Sequence, residues 1–524
     1  MEEAVALLPQ MAARHLTRAD RERSIAKLTG VPASAASAAL AAGQPNRAAE
    51  LLEASRGILV AGTIDARSSD LGQLRETDAE LAGRFEALLT RIEHLDRRLA
   101  GTPGEPDAAS RPRWTVTADV VTERRRANDE FDALLTEIRA DSRLTDFMRP
   151  PGADSLATQA VQGPIVYLTA DDHRCDALIL GGDSAQPVTH VPLATVSGQD
   201  AEQRIEQFLR ASLLDPEADQ AQLRSAEAEV LEVLGWLWDT IAEPVLAELG
   251  LTGPPAAGTP WPRIWWCPVG RLAVLPLHAA GHHERLADGD PRHRSVLDRV
   301  VSSYTTTVRA LAYSRRQPAR TYAGPPRTLV VAETGGSDGI ARLPGANMEV
   351  SLLSARVPGV VGLSHPGHDQ VLKALPGHAI AHFACHGVAD WADPGASKLI
   401  LRDHQATPLT VREISALRLP DARLAYLSAC ETSITSAGLA DETVHIASAF
   451  QLAGYQNVVG SLWPVHDLVA ADVSQEFYRQ LTGDWASPPD TDRTAIALHE
   501  AVRAARDANR DFPIRWAPFV HFGP

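Results

Sequence analysis

Apolar residues recur at helical spacing through residues 1–149 and then give way to short, continuous apolar runs. Between Thr77 and Ala100, Leu81, Phe85, Leu88, Leu89, Ile92, Leu95 and Leu99 fall on one face of an α-helix. Thr77 and Glu80 stand at capping-box spacing, which predicts the helix start at Thr77. A second amphipathic stretch, Asp119–Ala140, carries Phe131, Leu134, Leu135 and Ile138 as its stripe, and a Pro/Gly-bearing link from Gly101 to Pro112 precedes it. Upstream, Ser34–Gly43 and Arg47–Gly62 read as a helical hairpin broken at Gly43-Gln44-Pro45. Small residues at Ala38, Ala39, Ala48 and Ala49 let its helices approach closely. One such pair cannot form a solenoid alone and must pack on its neighbours.

From about Pro150 the pattern changes. Ile165–Ala170 and Ala177–Leu180 are β-prone runs either side of the polar segment Asp171–Asp176, which suggests a hairpin. Helical patterns at Asp200–Leu214 and Gln222–Leu249 lead through the loop Gly253–Gly258 to strand-like runs at Arg263–Pro268 and Leu272–Leu277. After Pro326, apolar runs at Thr328–Ala332, His378–Ala384, Ala422–Leu427 and Asn457–Leu462 alternate with helical patterns. Those lie at Ala346–Arg356, Asp369–Leu375, Asp441–Ala453, Leu468–Leu481 and Arg493–Ala508. Buried strands alternating with helices imply an α/β sandwich with a mostly parallel sheet, preceded by an all-α region. In such sheets active sites form at the carboxyl ends of the strands.

Composition narrows the class. Of 524 residues 44% are apolar and 22% charged, as in a folded protein, and the net charge of −16 argues against general attraction to nucleic acid or anionic membrane. The densest basic run, Arg124-Arg125-Arg126, reads as a solvated helix face. Cys175, Cys267, Cys385 and Cys430 show no paired spacing, so neither a disulfide framework nor a zinc ribbon is expected. The acidic N-terminus carries no apolar segment ending in a cleavage site, and no run approaches the length of a membrane span. A cytoplasmic, reducing compartment is expected, in which a thiol stays available for chemistry.

Two predicted strands end in reactive residues: His378-Ala-Ile-Ala-His-Phe-Ala-Cys-His-Gly387 and Ala425-Tyr-Leu-Ser-Ala-Cys-Glu-Thr-Ser433. If these strands are neighbours, His386 and Cys430 meet in one cleft, where the imidazole takes the thiol proton or stabilises the thiolate. Gly387 leaves room for a substrate carbonyl, and its N–H with that of Cys430 is suited to bind an oxyanion. Each residue alone also fits a bland role, an inert buried thiol or a structural histidine. His382, Cys385, His386 and Cys430 are all zinc-ligand types. Strand alternation, however, points 382, 384 and 386 to one face and Cys385 to the other, which leaves Cys385 to the core. Phosphate-binding, dinucleotide and serine-hydrolase motifs are missing, and no cofactor or metal is expected.

At these residues the sequence resembles the CHAT family, relatives of caspases and separase. The matching pieces run in family order: Cys267-Pro-Val-Gly-Arg-Leu-Ala-Val-Leu-Pro-Leu-His-Ala-Ala280, Leu343-Pro-Gly-Ala346, His382-Phe-Ala-Cys-His-Gly387 and Leu427-Ser-Ala-Cys-Glu-Thr432. Ala440-Asp-Glu442, Ala453-Gly-Tyr-Gln-Asn-Val-Val-Gly-Ser-Leu-Trp-Pro464 and Trp516-Ala-Pro-Phe519 follow. His386 precedes Cys430 by 44 residues, against about 50 in caspases. The resemblance implies a caspase-like α/β region over 150–524, with a pseudo-protease half at 150–325 and a catalytic half at 326–524. It implies thiol proteolysis, with His386 as general base and Cys430 as nucleophile. The helical region 1–149 is similar to the tetratricopeptide-rich parts that precede CHAT domains, although an ordinary hairpin fits its pattern equally. A protein substrate, a protein activator acting through the helical region, and a role as a regulated effector in bacterial defence follow by the same resemblance. A dormant CHAT scaffold that only binds partners is the alternative. Basic-specific relatives carry an acid two residues before the nucleophile, where this chain has Ser428. Asp390, Asp403, Asp441 and Glu442 are then the candidate pocket acids, with Ser428 and Trp463 as further pocket candidates.

Overall fold

The computed structural model describes residues 2–11, 21, 24–25, 27–58, 69–99, 113–181, 186–214, 218–283, 294–316, 326–335, 340, 342–390, 393–428 and 446–524. The link from Gly101 to Pro112, the end of the predicted helix at 59–62, and the start of the predicted helix at 441–445 lie outside these residues.

The N-terminal helices are α1 (Glu2–Met11), α2 (Val31–Ala41), α3 (Pro45–Ser55), α4 (Ser69–Thr77), α5 (Ala79–Leu99) and α6 (Arg113–Arg139). Gly43, at φ 71°, turns the chain between α2 and α3. Helix α5 starts two residues later than its pattern predicts. Asp78, rather than Thr77, caps it, accepting the N–H groups of Glu80 at 3.0 Å and Leu81 at 2.9 Å. Thr77 instead closes α4, so the capping-box spacing with Glu80 is coincidental. Phe85 of α5 packs on Phe131 of α6 and edge-on to Phe147, with 5.3 Å between centroids in each pair. The stripe Phe131, Leu134, Leu135 and Ile138 is buried in that cluster. Arg125 and Arg126 are solvated, but Arg124 is 1% exposed and corrects the expectation for the triplet.

The main sheet has eleven strands among the described residues. They are β1 (Ile165–Asp171), β2 (Arg174–Leu180), β3 (Val188–Pro192), β4 (Arg263–Pro268), β5 (Val301–Tyr304), β6 (Thr328–Ala332), β7 (Val360–Ser364), β8 (Ile380–Ala384), β12 (Leu424–Ser428), β13 (Asn457–Ser461) and β14 (Phe519–Phe522). Their order is β3-β2-β1-β4-β5-β14-β13-β12-β8-β6-β7. Pairing is parallel except at β1–β2, β2–β3 and β13–β14, and the sheet is flanked by helices. A small second sheet, β11-β10-β9, uses β9 (Gly387–Val388), β10 (Lys398–Leu399) and β11 (Leu409–Thr410). The apolar run Leu272–Leu277 is not a strand. It forms a 3₁₀ turn at Gly270–Val274 and a second at Leu277–Ala279. Gly270 is held at φ 58° and Pro276 has no N–H to give a ladder.

The longer helices that follow are α7 (Gly198–Ser212), α8 (Gln220–Leu237), α9 (Val308–Arg316), α10 (Pro344–Arg356), α11 (His368–Ala374), α12 (Ile446–Ala453), α13 (Asp467–Leu481) and α14 (Thr494–Ala508). One continuous core joins α7 and α8 to α10, α12, α13 and α14 across the sheet. Hairpin α2–α3 packs on the sheet too: Ala35, Ala48, Leu51 and Leu52 share a cluster with Ile165, Tyr167, Leu178 and Trp265. At its centre Glu53, 0% exposed, accepts the Tyr167 hydroxyl at 2.6 Å and caps α9 through the N–H groups of Val308 (3.1 Å) and Arg309 (2.9 Å). Beside it, buried Arg56 donates to the Pro268 carbonyl at 2.6 Å and to the Cys267 sulfur at 3.2 Å.

Several buried histidines set the acid limit of the fold. Burial pushes His278 and His499 down to about 3 and His283 to about 4, and holds His521 well below its ordinary value. They stay neutral when folded but take protons below about 6.5 when unfolded. Their contribution is therefore full above that pH and lost as pH falls from about 6.5 toward 3–4. Glu227 opposes them, because burial lifts its carboxyl to about 7. Its contribution is present below the ordinary carboxyl range and lost as pH rises through 7. Asp467 and His368, also raised, act in the same direction as Glu227 but are only half-buried, so the four buried histidines dominate and the melting temperature is expected to fall between pH 7 and pH 5. A calorimetric scan showing a rise over that interval contradicts this assignment.

Candidate active site

Strands β8 and β12 are direct neighbours, parallel, with Ala384 registered opposite Ser428. In the sequence His386 and Cys430 each stand two residues beyond that pair. Cys430, Asp441 and Glu442 lie outside the described residues. His386 is half-buried, and its carbonyl accepts the Ile400 N–H at 2.8 Å. That bond fixes the alternation along β9. Residues 386 and 400 form a hydrogen-bonded pair, so Gly387, opposite Leu399, is a non-hydrogen-bonded position whose N–H and C=O point away from β10. Strand β9 is the last of its sheet, and that side carries no strand among the described residues.

Helix α10 packs against β6, β7, β8 and α13. Glu349, on α10, accepts the Ser428 hydroxyl on Oε1 at 2.9 Å. Its Oε2 sits 3.0 Å from His382 Nε2 on β8. The His382 ring stacks on Tyr426 of β12, with centroids 5.0 Å apart and planes 5° from parallel, and its Nδ1 is 3.3 Å from the Tyr478 hydroxyl of α13. Burial, followed by the negative Glu349, holds both tyrosine hydroxyls well above the ordinary phenol range. One turn earlier on α10, Gly345 donates its N–H to the Asp467 carboxylate at the start of α13. Burial raises the Asp467 carboxyl above its ordinary range. The Gly345 bond opposes this, Glu349 adds to it, and His466 and His386 hold it down.

Gly345 is required by this approach. A Cβ there would meet the Asp467 carbonyl oxygen at 2.6 Å and its Oδ1 at 2.7 Å. In an unconstrained helix Gly→Ala stabilises by about 1 kcal/mol. Here Gly345→Ala is expected to destabilise, by about 1–3 kcal/mol, read as a lower urea midpoint. A raised midpoint contradicts the contact.

The remaining sequence candidates take structural places. Asp403 accepts the His368 N–H at 2.8 Å and caps α11. Asp390 builds the turn before β10, donating its N–H to Ser397 Oγ and accepting that of Asp393, both at 2.9 Å. Trp463, expected among the pocket residues, is 1% exposed. It packs edge-on to Phe208 at 5.2 Å and donates its indole N–H to the Ile514 carbonyl at 3.0 Å, so it belongs to the core. Cys385 is buried in the main core. Among the described residues no group of three or more His, Cys, Asp or Glu side chains is arranged to hold a metal ion. No helix among them is long and apolar enough to cross a membrane. Glu349 and Asp467 are not among the residues that the sequence pattern marks. The available signal was the spacing of Gly345 and Glu349, four apart on one helix face directly after Leu343-Pro344.

A family model described as the CHAT domain matches residues 231–524. No curated protein sequence matches the chain. Among solved structures, one similar chain comes from the separase–securin complex of Saccharomyces cerevisiae, with 11% identity and a TM-score of 0.48. That match covers 89% of this chain and 40% of the other, so the chain spans well under half of its length. A second is the Arg-specific cysteine proteinase gingipain R, at 11% identity, TM-score 0.34, covering 62% of this chain and 75% of that one. A complex of pro- and mature domains from Porphyromonas gingivalis matches over the same shares with 11% identity and a TM-score of 0.31.

Proposed function

Because the chain belongs to the CHAT domain family, we infer that it is a cysteine endopeptidase in which His386 and Cys430 act as a dyad on a protein substrate. The observation that carries this reading is the register of β8 and β12: the two residues follow one registered pair at the carboxyl edge of adjacent parallel strands. His386 takes the thiol proton of Cys430, and the thiolate attacks the scissile carbonyl to form a tetrahedral intermediate. The outward N–H of Gly387, together with that of Cys430, carries the oxyanion. As the intermediate collapses, the carbon–nitrogen bond breaks and His386 returns its proton to the leaving amine. Water, deprotonated by His386, then cleaves the thioester and restores the thiol.

The helical N-terminal region offers the surface through which a protein activator acts. Digestion of a peptide library tests the reading. Cleavage at defined bonds by the wild type, absent with Cys430→Ala, is the expected result. Cleavage that persists unchanged in Cys430→Ala overturns it.

A further inference from the structure

One carboxylate bridges the two strands, reaching the end of β12 and the middle of β8. Glu349 is 2% exposed, and it engages both strands at once: Ser428 on β12 at 2.9 Å and His382 on β8 at 3.0 Å. Ser428 stands two residues before Cys430, and His382 four before His386. The second contact lacks hydrogen-bond alignment, since neither Glu349 Oε2 nor His382 Nε2 has a hydrogen-bond partner. It is an ionic contact when the ring is protonated. His382 cannot drift to follow the carboxylate, because Tyr426 covers its face and Tyr478 meets its other nitrogen.

Stability alone is a poor reason for such a group. Buried charge pairs are often matched or exceeded by apolar residues of similar volume, and their best-attested use is to specify register. Register is what the dyad needs. The last registered pair between the strands is Ser428 and Ala384, and the reactive residues lie beyond it. A displacement of about 1 Å between reacting groups costs on the order of 100-fold in rate.

We propose that Glu349 is the positioning residue of the dyad, fixing the spacing of β8 and β12, which lead into His386 and Cys430, by holding His382 and Ser428 together. The proposal rests on the cysteine-peptidase reading above. It also gives a purpose to the Leu343-Pro-Gly-Ala346 motif. Gly345, clamped on Asp467, sets the start of α10, and one turn later that places Glu349 beside His382 and Ser428.

The test is the pH dependence of Cys430 alkylation by iodoacetamide, followed by mass spectrometry, in the wild type, Glu349→Gln, Glu349→Ala and Ser428→Ala. Thermal unfolding of each variant is recorded alongside. A dyad at the right spacing keeps the thiolate populated well below the ordinary thiol midpoint of about 8.5. Glu349→Ala is expected to move the midpoint up toward about 8.5 and to slow labelling at pH 7 by about tenfold or more. Glu349→Gln still accepts the Ser428 hydroxyl but carries no charge, and is expected to move it part of the way, as is Ser428→Ala. Variants that melt lower yet keep the wild-type midpoint overturn the proposal, because a merely structural role moves only the melt. If Glu349→Ala does not fold, Ser428→Ala decides between the same two outcomes, since it deletes one hydroxyl and leaves the Glu349–His382 contact in place. A wild-type Cys430 that labels as slowly as Cys175, Cys267 and Cys385 overturns the dyad itself, a failure distinct from that of Glu349.

Discussion

Replacing His386 or Cys430 by alanine is expected to reduce peptide cleavage by about 10⁴-fold or more. Without Cys430 no covalent intermediate forms. Without His386 the thiol has no partner at the adjacent strand tip to accept its proton, and the leaving amine has no donor. In the proposed dyad the two residues act as a unit, so the double variant is expected to be no slower than the worse single variant. Initial rates on one cleaved peptide, measured with equal amounts of folded protein, provide the check. Independent, multiplicative losses, or a His386→Ala enzyme retaining a tenth of its rate, contradict the assigned roles. His386→Ala is not expected to lower the melting temperature greatly, because His386 is only half-buried.

The largest expected effect on stability lies at the opposite half of the sheet. Glu53→Ala removes the acceptor shared by the Tyr167 hydroxyl and the N–H groups of Val308 and Arg309, and leaves the Arg309 side chain without its carboxylate 3.3 Å away. Removing one partner of a buried charge pair typically costs about 3–5 kcal/mol. The urea midpoint is expected to fall accordingly, with Glu53→Gln in between, because an amide oxygen still accepts some of these donors. A change below about 1 kcal/mol would show that α3 is only loosely associated with the sheet. The position matters because Glu53 and Arg56 join the N-terminal helices to β1, α9 and the Cys267-Pro268 end of β4. A partner that moved α3 would therefore act directly on the sheet.

Local pattern was enough to locate the central strands. Thr328–Ala332, Ile380–Ala384, Leu424–Ser428 and Asn457–Ser461 are continuous apolar runs because they are buried on both faces. The edge strand Val360–Ser364 was not legible, since it is half exposed and lacks such a run. Phe519–Phe522 was missed for another reason: a four-residue strand is too short for periodicity to declare itself. At Leu272–Leu277 the apolar run was real, but Pro276 and the left-handed Gly270 folded it into turns.

The site divides in the same way. The place of His386 and Gly387 at the end of β8 was readable because they follow an apolar run directly. Glu349 was not, because its meaning depends on partners 33 and 79 residues away in His382 and Ser428, which only the folded sheet assembles. Asp403 looked like a pocket acid for the converse reason. Nothing in the local sequence shows that it caps a helix starting 35 residues earlier.

Reactivity of the four thiols with iodoacetamide near neutral pH tests the dyad most directly, and it needs no knowledge of the substrate. Burial pushes the Cys175 thiol up to about 12 and Cys267 to about 11, and Cys385 is buried in the core, so all three should label slowly. Cys430 is predicted to label much faster than these three, and His386→Ala is predicted to abolish the difference. Equal, slow labelling of all four thiols, or fast labelling of Cys430 that survives His386→Ala, would contradict the catalytic dyad.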